Sequence, residues 1–160
     1  MIYFSQYLQN PKKGKRMKIQ LTVEEWGHLH HVLDNRNNLH ESYSCKVESL
    51  EGNLASAERK IRGALERLGA RHRQTEEGPA WELKRTLVSK RLEVGMTQEE
   101  AASLNLFANL VNAILGVESQ TGTVPEKIHK RLREVGAKIG IPENDFVFWI
   151  LSNGSKIALT

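Results

Sequence analysis

Three of the chain's six histidines fall within four residues, at 28, 30 and 31. His28 and His31 stand i, i+3 apart, a helical spacing that can hold a metal. No cysteine lies near them and no carboxylate stands in phase, so they read as helix-surface histidines and no metal is expected. Two acid pairs, Glu76-Glu77 and Glu99-Glu100, have the composition for general acid–base work. The first lies in a linker-like stretch, and the second lies in a predicted first helical turn, where negative charge offsets the helix dipole. The chain carries no GxxxxGK[ST], GxGxxG, CxxC or HExxH sequence and no serine in a GxSxG context. Its one cysteine, Cys45, excludes an internal disulfide, and it reads as a surface thiol. These residues predict no catalytic group, no cofactor and no enzyme.

Phosphate contact is the chemistry the remaining residues can supply, since it needs only Lys and Arg on one surface and no fixed motif. Net charge is +4 over 160 residues, unevenly spread. Residues 1–22 carry Lys12, Lys13, Lys15, Arg16 and Lys18 and no acid. Residues 23–70 (six basic, eight acidic) and 71–123 (six basic, seven acidic) are slightly negative, and 124–160 (six basic, four acidic) is positive again. On the helix expected from 124, Lys127, Arg131 and Lys138 flank the apolar stripe, while Lys130 and Arg133 project on the far side. With Lys156 near the C-terminus and Lys12, Lys13, Lys15 and Arg16 in the arm, these are the candidate nucleic-acid contacts.

The elements that must position them begin with a basic arm over 1–21, with short strands at Ile2–Phe4 and Met17–Leu21 around a turn at Asn10–Gly14. Met17 would also serve as a second start. Thr22-Val23-Glu24-Glu25 is a capping box with Leu21 and Trp26 at the staple positions. From there to about 70 runs a heptad pattern, strict at Tyr43, Val47, Leu50, Leu54, Ala57, Ile61, Ala64 and Leu68. Either one helix spans 23–69, or it breaks at the poor helix formers 34–38 into a helical hairpin; the phase survives the gap and favours one helix. A stripe this narrow needs a partner helix, and a homodimer through 43–68 is the expectation. Residues 71–78 read as a linker. Pro79 opens a helix that Gly95 ends. A second capping box, Thr97-Gln98-Glu99-Glu100, starts a core helix running to about Leu115, and a weaker one, Thr123-Val124-Pro125-Glu126, starts the basic helix. The tail reads as a β-hairpin on Asn153-Gly154, with a buried helix from Pro142 as the rival. The predicted fold is therefore mainly α: a coiled-coil helix, then a helical module over 79–160 ending in a hairpin.

Residues 79–160 resemble a winged helix-turn-helix in element order: helix, helix, more basic helix, and an apolar hairpin tipped by Ser152-Asn153-Gly154-Ser155. Locally, Arg91-Leu-Glu-Val-Gly-Met-Thr-Gln-Glu-Glu-Ala-Ala102 is similar to the first-to-second helix junction of Xre/Cro-type repressors. The resemblance implies a third helix in the major groove and a wing on the DNA backbone. The expected function is a dimeric, non-enzymatic DNA-binding regulator. The alternative is a protein-interaction module, such as an adaptor or a small inhibitor of phage or mobile-element origin. No run is long and apolar enough to span a membrane, and the arm's basic cluster follows its apolar residues, the reverse of a secretory signal. A cytoplasmic protein is expected.

Overall fold

Met17, Ile19 and Leu21 alternate with Arg16, Lys18 and Gln20, and that period of two makes a strand with one buried face and one exposed face. The computed structural model describes residues 16–76, 78–115, 122–140 and 147–159. Strand β1 (Arg16–Thr22) passes directly into α1 (Val23–Asp34). Thr22 closes a complete capping box: its hydroxyl accepts from the Glu25 amide at 3.1 Å and its own amide donates to the Glu25 carboxylate at 2.9 Å. After α2 (Glu41–Val47) and α3 (Glu51–Arg67) come a hairpin, β2 (Arg71–Thr75) and β3 (Gly78–Glu82), and then β4 (Arg91–Thr97). Helices α4 (Gln98–Leu115) and α5 (Val124–Glu134) follow, then β5 (Lys138–Ile139), β6 (Phe148–Ile150) and β7 (Lys156–Ala158).

One unit, strand–helix–helix–hairpin, occurs twice, with α2 inserted between the helices of the first copy and β7 added after the hairpin of the second. Thr97 and Glu100 repeat the capping box of Thr22 and Glu25, with bonds of 3.2 and 2.8 Å. Lys60-Ile61, Leu65 and Gly69-Ala70 recur as Lys127-Ile128, Leu132 and Gly136-Ala137 at a constant offset. Both segments end a helix in the same way. The amides of Ala70 and Ala137 reach back to Leu65 and Leu132, and Gly69 and Gly136 take φ of 94° and 99°. That left-handed conformation closes a Schellman motif and is open to glycine at little cost. The hairpins share a register, with His72 opposite Trp81 and Ile139 opposite Trp149.

The two units meet across β1 and β4, which pair antiparallel with Ile19 opposite Val94. These two are equivalent positions of the repeat, so a pseudo-two-fold axis passes between them. The ion pairs obey it. Lys60 of the first unit holds the cap Glu100 of the second at 2.5 Å, and Lys127 of the second holds Glu25 of the first at 2.6 Å. Burial raises the Glu100 carboxyl, but Lys60, Ser56 and the Thr97 amide together bring it below the usual range. Beneath the strand pair, α3 packs on both α1 and α4, and α5 packs on α4. Trp26, Leu29, Leu54, Ile61, Phe107, Ile128 and Trp149 lie fully buried there.

Several expectations are corrected. The fold is mixed α/β rather than mainly α, with three small sheets among the described residues. No long N-terminal coiled-coil helix forms: the chain leaves the helix at Asn35, passes through 3-10 turns at 36–38 and 48–50, and the longest described helix, α4, has 18 residues. Asp34, Asn35, Asn37 and Asn38 are short polar side chains that compete for backbone hydrogen bonds, and the Asn35 side-chain amide donates to the His31 carbonyl at 2.8 Å. The heptad stripe finds its partner helices within the chain. Val47, Leu50, Leu54, Ala57, Ile61 and Ala64 are all at most 4% exposed, and Tyr43 and Leu68 are half-buried. The 71–78 linker belongs largely to a hairpin. Residues 79–95 are strand, turn and strand instead of helix, because Leu92, Val94 and Met96 alternate with a period of two. Pro79 is tolerated in β3 because a two-stranded hairpin has only edges. The stretch 91–102 is thus a strand entering a helix. The third box also fails, as Thr123 makes no side-chain cap bond. The C-terminal hairpin is present as β6 and β7, with β5 as a third strand. Expectations on Lys12, Lys13, Lys15 and the strand at 2–4 lie outside the described residues.

Candidate nucleic-acid interface

The β1–β4 pair is a two-stranded ribbon whose inner face is core and whose outer face is polar. Met17, Ile19, Leu21, Val94 and Met96 point inward and are at most 4% exposed. Arg16, Lys18 and Gln20 on β1, and Arg91 and Glu93 on β4, are exposed. The register sets Lys18 opposite Gly95 and Gln20 opposite Glu93, with Arg16 and Arg91 toward opposite ends. Charged residues alternating with core residues on the same strands fix this geometry. A one-residue slip would bury the lysine and arginines.

Each long edge of the ribbon is flanked by a helix from the repeat. Along β4 lies α3, and the two enclose a cleft of about 560 Å³ lined by Arg16, Arg59, Lys60, Arg67, Glu93 and Gly95, among others. Along β1 lies α5, tied down by Arg131, whose Nε donates to the Lys18 carbonyl at 2.8 Å. Arg16, Lys18, Arg59, Arg67 and Arg91 make no ion pair with another described residue.

The expected contact residues divide. Arg16 stands on the ribbon itself. Lys127 and Arg131 border it, but the first is paired with Glu25 and the second holds the Lys18 carbonyl and lies 3.9 Å from Glu134. Lys130 and Arg133 are exposed on α5, and Lys138 is exposed on β5. Lys156 lies over the Phe148 ring at 4.2 Å, on the separate C-terminal sheet. Lys18, Gln20, Arg59, Arg67, Arg91 and Glu93 were not among the expected contacts. The alternation in 91–97 and the repeated Lys-Ile-x3-Leu-x3-Gly-Ala segment were the signals that lead to them.

A second polar cluster joins α1, α3 and the first hairpin. His30 is fully buried, with Nε2 2.8 Å from Glu58 and Nδ1 accepting from Trp81 Nε1 at 2.8 Å. Indole N–H only donates, so the His30 proton sits on Nε2 and points at Glu58. His72 Nε2 lies 3.1 Å from Asp34, and Arg62 reaches Glu58 at 2.7 Å. Ligand atoms of His30, Asp34 and His72 fall within 4.8 Å of one another. The set does not fit a cation: both His30 nitrogens are engaged, and the Arg62 guanidinium lies against the same carboxylates. The repeat explains the cluster. Asn105 occupies the position of His30 in the second unit and likewise accepts from its tryptophan, Trp149, at 2.8 Å. Both residues pin a hairpin to a helix.

Burial holds His30 below the usual imidazole range, outweighing the upward pull of Glu58 and Asp34. A depressed folded value means the unfolded chain binds the proton first. This contribution is full above the unfolded value of about 6.5 and is lost as pH falls through the lower folded value. Thermal melts from pH 8 to 5 are expected to show that loss. His30→Asn, which copies the second unit's solution, is expected to flatten it; an unchanged pH profile would contradict the role given to His30.

Comparisons with protein-family models, with curated proteins and with solved structures give no match. No described helix is long and apolar enough to cross a membrane.

Proposed function

We propose that this chain binds duplex DNA by laying the outer face of its β1–β4 ribbon in the major groove. The observation that carries the reading is the ribbon's polar outer face, with Arg16, Lys18 and Arg91 exposed and backed by a fully apolar inner face. A major groove about 12 Å wide admits a two-stranded ribbon, and readers that use strands in this way are one of the known docking modes. Arg59 and Arg67 on α3 would meet phosphates beside the groove. Arginine suits that task because its planar fork matches phosphate oxygens.

Equilibrium binding to a random duplex at several salt concentrations tests this. About four phosphate contacts give a slope near −3.6 in log affinity against log salt. A slope near zero, or no binding at low salt, would sink the reading. That outcome would favour a protein-interaction module instead, for which Ile139, Val147 and Ile150, each 36–40% exposed, offer apolar surface.

A further inference from the structure

We propose that the ribbon reads an asymmetric, non-palindromic duplex site as a single chain. This inference rests on the DNA-binding reading above and adds the kind of site recognised. The backbone is pseudo-symmetric about the Ile19–Val94 pair, so the two strands present equivalent positions to two half-sites. The side chains at those positions are not equivalent. Arg16 and Arg91 match, but Lys18 is replaced by Glu93 and Gln20 by Gly95.

The replacements invert the chemistry offered to the bases. Lysine only donates, and it suits the O6 and N7 acceptors of guanine; a carboxylate only accepts, and it suits the amino group of cytosine. Glutamine can pair with adenine through two bonds, and glycine offers no side chain at all. A palindrome presents one base to both equivalent positions. If that base suits Lys18 it opposes Glu93, at a cost of about 1–3 kcal/mol for the wrong pairing.

The flanking helices break the symmetry as well, with the opposite sign: the more basic helix lies along the strand that carries Glu93. Arg59, Gly63 and Arg67 of α3 correspond to Glu126, Lys130 and Glu134 of α5. At these positions α3 carries two arginines and α5 one lysine between two carboxylates, so the β4 edge is the stronger phosphate clamp. A symmetric dimer must present the same patch twice, and palindromic operators mirror that. A chain that holds both strands covalently is free of the constraint, and here the constraint is broken at both the base-facing and the phosphate-facing positions.

Selection of bound duplexes from a random pool, using the full chain, reads the site directly. The expected result is an enriched site whose halves are unrelated by a dyad, bound by one chain per duplex in a stoichiometric titration. Glu93→Lys combined with Gly95→Gln gives both strands the same exposed residues. A Cβ at Gly95 would meet only Arg16 Nη2 at 3.8 Å and the Met17 carbonyl at 4.0 Å, so the side chain fits. The double variant is expected to shift preference at least tenfold toward a palindrome of the Lys18 half-site, and a thermal melt confirms that it folds. A palindromic wild-type site, two chains per site, binding without enrichment, or an unshifted double variant would each overturn the inference and leave DNA binding standing. Absence of any duplex binding would overturn both.

Discussion

Alanine at Arg16, Lys18, Arg59 and Arg67 together is expected to weaken duplex binding roughly 10³-fold at about 0.1 M salt. The size follows from counterion release: each cation brought against the duplex, whether at a phosphate or in the groove, displaces counterions and contributes about 0.9 to the salt slope, so four cations account for three to four decades at that concentration. The salt slope should fall in step, by about 3.6. Two of the four stand on the ribbon and two on the flanking helix, with Arg16, Arg59 and Arg67 lining the same cleft. Each is exposed and outside any ion pair among the described residues, so surface substitutions here should change stability by under about 0.5 kcal/mol apiece. Binding that stays within a few-fold of wild type in a variant that melts normally would show that the DNA contact lies elsewhere.

Trp149→Ala is expected to destabilise the fold by about 3–5 kcal/mol, which is a large share of the stability of an ordinary domain. Trp149 is fully buried on β6, donates from Nε1 to Asn105 Oδ1 at 2.8 Å, and packs edge-on against His129 at 4.9 Å between centroids. Truncation leaves a cavity between the C-terminal sheet and α4, and it takes from Asn105 a donor in a buried site. Trp149→Phe keeps a six-membered ring and loses the pyrrole ring with its N–H, so it should cost less, about 1–3 kcal/mol. Urea denaturation of the two variants separates the volume from the hydrogen bond. Equal costs would mean that the bond, and not the packing, anchors the sheet.

The parts of this fold legible in sequence are those set by local spacing. The boxes at Thr22 and Thr97 need only a hydroxyl and a carboxylate three residues apart, and both form. The heptad stripe marks a buried helix face, and that face is buried. What spacing cannot say is where the partner helix comes from. Here α1 and α4 of the same chain supply it, because the polar run 34–38 turns the chain back. The strand at 91–97 was hidden by Arg91, Glu93 and Gly95, which break an apolar run and suit a helix end as well as an exposed strand face. The ribbon itself depends on pairing residues 75 apart, such as Ile19 with Val94, and no local pattern encodes that. The internal repeat does encode it, since two copies of one unit can meet about an axis through equivalent strands.

Methylation protection on a bound duplex tests the central claim most directly. Dimethyl sulfate marks guanine N7, which faces the major groove, and adenine N3, which faces the minor groove. A ribbon lying in the major groove predicts protection of guanine N7 across the bound site with adenine N3 still reactive. Protection of adenine N3 with guanine N7 unchanged, or no change at either position at saturating protein, would contradict it.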